Sequence, residues 1–154
     1  MKSSRIFASL LAVLFTAALF TQSAMAQVPP PQDPAKEYDR VKGLLDKLET
    51  TLDGYIPISV AVTDAWDDRR PFLSQELMAA GDSYLDNAEA SAYDASKKFG
   101  VAKDALNKAK TALTNMQPDV ATLAIMEAET AINNSTFYNQ EALLWLVQLD
   151  NTGK

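Results

Sequence analysis

The amino-acid sequence predicts an all-α fold: an elongated antiparallel three-helix bundle with coiled-coil-like packing. Three observations predict it. Glycine is scarce, at 5 of 154 residues, while Ala, Leu, Lys and Glu fill most stretches, and these residues lose little conformational freedom in a helix. Apolar residues recur in alternating steps of four and three, the spacing that lines one face of a helix. Two short Pro-containing breaks divide this pattern into three long segments, and short connections make consecutive helices antiparallel.

The first 26 residues read as an export signal and not as part of the fold. Lys2 and Arg5 form a basic start, Ile6 to Phe20 is broken only by Ser9 and Thr16, and Ala24-Met25-Ala26 has the small-x-small cleavage pattern. Cleavage would leave 128 of the 154 residues, starting at Gln27, and would take the charge from −6 to −8. No cysteine follows the signal, so the chain carries no lipobox. A periplasmic or secreted location follows, with no membrane span in the mature chain. Residues 27–33 read as a Pro-rich extended leader, residues 34–150 as the bundle domain, and residues 151–154 as a disordered tail.

The first helical segment opens with Asp33 as N-cap and Pro34 at the first helical position. Its seam is Tyr38, Val41, Leu45, Leu48, Leu52, Tyr55, Ser59, Val62 and Trp66. The phase continues across Gly54 and Pro57, which predicts one bent helix to about Arg69. The competing reading of Ile58 to Val62 is a strand, because Ile58, Val60 and Val62 alternate and are β-branched. A break near Gly54-Pro57, or near Gly81, would make four helices.

After a turn at Arg69-Arg70-Pro71, the second segment runs from about Phe72 to Met116. Its seam holds the spacing over twelve positions: Met78, Gly81, Leu85, Ala88, Ala92, Ala95, Phe99, Ala102, Leu106, Ala109, Leu113 and Met116. A second turn at Gln117-Pro118-Asp119 starts the third segment, which ends near Asp150. Its seam is Val120, Ala124, Ala128, Ala131, Ser135, Tyr138, Ala142, Trp145 and Leu149. Folding the chain about Gln117 brings Leu106 near Ala128, Ala102 near Ala131, Phe99 near Ser135, Ala95 near Tyr138 and Ala88 near Trp145. Large residues then mostly meet small ones. Lys97, Lys98, Lys103, Lys108 and Lys110 fall opposite the stretch with Asp119, Glu127 and Glu129, and the third segment has no Lys or Arg.

Composition excludes much chemistry. The chain has no His and no Cys, so it has no imidazole base, no Ser-His-Asp triad, no thiol nucleophile and no zinc–thiolate site. Its net charge of −6 argues against nucleic acid, which demands a basic face. No Gly-rich phosphate loop or nucleophile elbow is present. No cofactor is implied, and the chain does not read as an enzyme. No metal is favoured either; the nearest candidates are Asp64, Asp67 and Asp68, at helical spacing beside Trp66, with Asp82, Asp86 and Glu89 as a second acidic row. These support the alternative function, a small-ligand or divalent-cation module built from carboxylates.

The leading expectation is an exported, non-catalytic protein that acts by protein–protein contact in the cell envelope as scaffold, adaptor or holdase. The third segment carries the candidate surface. With Ala131 at the centre of its core face and 100° per residue, Phe137, Leu144 and Val147 fall at about 120–160°, on the far side. These three are the expected contact with a protein partner or a second copy.

Overall fold

A computed structural model describes residues 33–154; the expected signal peptide and nearly all of the Pro-rich leader lie outside the described residues. Three helices make up the fold: α1 (Pro34–Arg69), α2 (Gln75–Thr114) and α3 (Pro118–Asn151). No strand occurs among the described residues. None of the described helices is long and apolar enough to cross a membrane.

Local signals start and stop each helix. Asp33 caps α1 by accepting a hydrogen bond from the Ala35 amide at 3.1 Å, and Pro34 fills the first turn, where its missing N–H costs nothing. The helix passes through Gly54 and Pro57 unbroken. Ile58 and Val62 lie four residues apart and are both buried, while Val60 between them is exposed, so the helical period and not the alternating one governs this stretch. After α1 the chain makes a 3-10 turn over Arg70–Phe72, with Phe72 almost fully exposed. Ser74 then caps α2 by accepting from the Leu77 amide. The second segment therefore begins three residues later than its apolar pattern suggested.

At the other end of α2, the Gln117 amide donates to the Ala112 carbonyl and the Met116 amide to the Leu113 carbonyl. This paired closure places Met116 in the left-handed region, at φ 55°. Met116 is accordingly a turn residue, 90 % exposed, and not the last member of the α2 seam.

Cross-helix contacts fix the directions. Lys108 of α2 faces Glu127 of α3, and Ser91 faces Glu141, so α2 and α3 are antiparallel. Glu49 pairs with Lys103, and Trp66 reaches Asp82, so α1 is antiparallel to α2 as well. Arg40 pairs with Glu129 and Arg69 with Asp150, which makes α1 and α3 parallel. The most extensive interface is between α2 and α3. Of the five lysines expected to oppose the acidic stretch of α3, only Lys108 pairs with it; Lys103 is taken by α1.

The core has two apolar parts. One holds Val41, Leu45, Leu48, Leu106, Ile125 and Ile132 around six buried alanines of α2 and α3. The other holds Ile58, Val62, Trp66, Ala88, Leu143, Leu146 and Leu149. Between them along α2 and α3 lie the buried polar residues Ser91, Ser135 and Asn139. The Ser135 hydroxyl donates to the Ala95 carbonyl at 2.7 Å. Trp145 stacks on Tyr84, with ring centroids 5.9 Å apart. Ser135 thus meets Ala95 where Phe99 was expected, and Trp145 meets Tyr84 where Ala88 was expected, whereas Lys108 with Glu127 and Ser91 with Glu141 fit the expected register.

Gly81 does not break α2. Its missing side chain admits the Trp66 ring, since a Cβ there would overlap the six-membered part of the indole. The indole N–H donates to the Asp82 carboxylate at 3.3 Å, and Arg70 engages the other oxygen at 2.6 Å.

The bundle does not end at 150. Asp150 is buried and paired with Arg69 and Lys154; the Thr152 hydroxyl donates to the Gln148 carbonyl; Gly153, at φ +76°, packs on Leu73. Residues 151–154, expected to be a disordered tail, instead close the end of the bundle, because a buried carboxylate needs its cations held in place.

Candidate interaction face on helix α3

Helix α3 packs against both other helices and still leaves one side open. Its buried residues fall on two adjoining rows: Ala121, Ala124, Ala128, Ala131, Ser135 and Ala142, and beside them Ile125, Ile132, Asn139, Leu143 and Leu146. The sequence seam followed the first of these rows. The second holds the fully buried Leu143 and Leu146, while Leu149 continues the first row seven residues after Ala142. Val120, placed in the seam, is 41 % exposed, and Tyr138 and Trp145 are only half-buried.

The three expected contact residues separate. Phe137 and Leu144 are 60 % and 53 % exposed and lie seven residues apart on the open side. The Phe137 ring leans edge-on against Tyr138, with centroids 5.5 Å apart. Val147 does not belong with them: it is half-buried and packs on the cluster of Trp66, Leu143 and Leu146. It follows Leu143 by four residues, so it shares the row that α1 covers.

Two residues that the angular reading did not single out join the open face. Leu123 is 68 % exposed and Met126 is 60 % exposed. The signal for Leu123 was present, since Leu123, Thr130, Phe137 and Leu144 recur every seven residues. Beside this row, Lys98 and Val101 of α2 and Met126, Glu127, Thr130, Ala131 and Asn134 of α3 line a shallow open groove of about 320 Å³. Lys108 lies 4.0 Å from Glu127 of this groove, and farther along the helix the Ser91 hydroxyl donates to Glu141.

The acidic candidates do not converge. Asp64, Asp67 and Asp68 are exposed, as are Asp86 and Glu89. Asp82 is occupied by the Trp66 indole and Arg70. Among the described residues, no three carboxylates come together in a group able to hold a metal ion.

The chain matches no known family model, no curated protein and no solved structure.

Proposed function

We propose that this is an exported, non-catalytic protein that works in the cell envelope by holding other protein surfaces, as a scaffold, adaptor or holdase, through the open face of α3. One observation carries the reading. A helix buried along two rows against its own bundle also carries Leu123, Met126, Phe137 and Leu144 on its solvent side. Large apolar side chains aligned in a row mark a contact surface more often than scattered ones do. The export part rests on Lys2, Arg5, the apolar run from Ile6 to Phe20 and the Ala24-Met25-Ala26 site.

Two measurements test it. Intact mass of the protein recovered from the envelope is expected to begin at Gln27; a mass retaining Met1 to Ala26 overturns the export reading. A photo-crosslinking residue at Phe137 is expected to give a discrete protein adduct in the native envelope, and the same probe at Thr111, an exposed position of α2, is expected to give none. Equal labelling from both positions, or from neither, overturns the contact reading. With the probe kept at 137, Leu144→Lys is expected to abolish the adduct while leaving the helical circular dichroism and melting temperature unchanged, because this side chain faces water.

A further inference from the structure

We infer that the open face of α3 pairs with a second copy of itself in antiparallel orientation. The inference rests on the reading above that this face is a contact surface, and it names the occupant.

The row has the form of a coiled-coil seam. Leu123, Thr130, Phe137 and Leu144 recur every seven residues. Met126, Asn133, Gln140 and Val147 each follow by three, which makes the two sets equivalent to the a and d positions of a heptad repeat. The first set and Met126 and Asn133 are exposed, and Gln140 and Val147 are half-buried. The seam is apolar at both ends and polar in the middle. An antiparallel pair therefore brings each apolar end onto the other: Met126 meets Leu144 of the second copy, and Leu123 reaches only the outer edge of its Val147, whose inner side packs on its own core. In the middle, Phe137 falls against the shorter Asn133 of the second copy, large against small, and Thr130 falls against Gln140. One register satisfies all four layers.

The area is adequate for a weak, specific dimer. Leu123, Met126, Phe137 and Leu144 are 68, 60, 60 and 53 % exposed; for side chains of their size this is roughly 500 Å² per copy. Doubling it across the two-fold axis reaches about 1,000 Å², the lower bound for a specific interface. Charge sets the conditions. The same register places Glu127 beside Glu141 of the second copy; α3 has no cation, and Lys108 of α2, 4.0 Å from Glu127, offsets only part of the repulsion. Screening therefore favours association, so the dimer tightens as salt rises. A basic protein partner on the same face would be weakened by salt.

The test uses protein recovered from the cell envelope. Sedimentation equilibrium is expected to show a concentration-dependent monomer–dimer equilibrium that tightens between low and high salt. The chain has no cysteine, so orientation can be read directly with a short bismaleimide. Met126→Cys mixed with Leu144→Cys is expected to give a crosslinked dimer, and each variant alone is expected to give none. Thr130→Leu, which replaces a polar middle residue, is expected to tighten the dimer, and Phe137→Lys with Leu144→Lys to leave a folded monomer. A monomer at all concentrations, a dimer that survives the Lys variant, or self-crosslinking of either Cys variant alone overturns the inference. If the protein is monomeric but Phe137 still photo-crosslinks a different protein in the envelope, the second copy is excluded while the contact reading stands.

Discussion

The two apolar regions of the bundle are built on opposite plans. Around Val41 and Leu106 the seam of α2 and α3 is alanine, at Ala102, Ala105, Ala109, Ala124, Ala128 and Ala131. Around Trp66 it is one large indole, three leucines, Ile58 and Val62, with a single buried alanine, Ala88. The alanine region gains its stability from close approach of backbones, with little apolar area per residue. The indole region gains it from a few large side chains that fill space. The lesson is that one apolar spacing can encode two kinds of packing, and they fail in different ways. A large-to-small change does most damage at the indole, and a small-to-large change does most damage among the alanines.

The largest expected effect breaks the indole end. Trp66→Ala removes a side chain that is 1 % exposed, together with its hydrogen bond to Asp82, and should cost about 3–5 kcal/mol in urea unfolding. Little or no change would mean that the two regions do not differ as described. Next, Ala102→Leu should overpack the alanine region by about 1–3 kcal/mol, read from the same unfolding curves. Gly81→Ala belongs in the same range for the opposite reason, since the added methyl displaces the indole. A neutral Gly81→Ala would show that the ring shifts freely, and so that the indole end is not tightly filled.

A smaller effect sharpens the boundary between the regions. Asn139 is 1 % exposed and its carbonyl oxygen has no partner in the protein. Asn139→Leu should therefore cost no more than about 1 kcal/mol in thermal unfolding and can stabilise the fold, because an unsatisfied polar group is removed. A loss of several kcal/mol would show that Asn139 is satisfied and that the polar layer binds the two regions together. The smallest effect lies at the turn beyond the alanine region. Met116→Gly should raise stability by about 0.5–1 kcal/mol in thermal unfolding, since φ 55° strains a residue with a Cβ and the side chain is 90 % exposed. No gain would mean that the entropy glycine loses on folding offsets the relieved strain.

Of the three residues that the sequence places on the far side of α3, Phe137 and Leu144 are exposed and Val147 is half-buried, and the reason is specific. The angular argument took one core direction, that of Ala131. Helix α3 touches two neighbours, so its buried surface spans a second direction marked by Leu143 and Leu146. Val147 lies on that side. The acidic candidates failed differently: helical spacing placed Asp64, Asp67 and Asp68 near one another along α1, yet nothing in spacing says whether other ligands converge, and Asp82 went to Trp66 and Arg70 instead.

By itself, the sequence determined what depends on neighbours a few residues apart: the helical class, the Asp33 and Pro118 starts, a turn beginning near Arg69-Arg70-Pro71, and the buried seam through Val41, Val62, Ala102 and Ala131. Capping and the 3.6-residue period act within a turn or two of helix, so they are written locally. Only the tertiary structure decided the role of Gly81 as a seat for Trp66, the closure of the C-terminus over Asp150, and which side of α3 stays open. Each of these depends on residues far apart in the chain, and a repeating pattern is satisfied equally well by several ways of bringing them together.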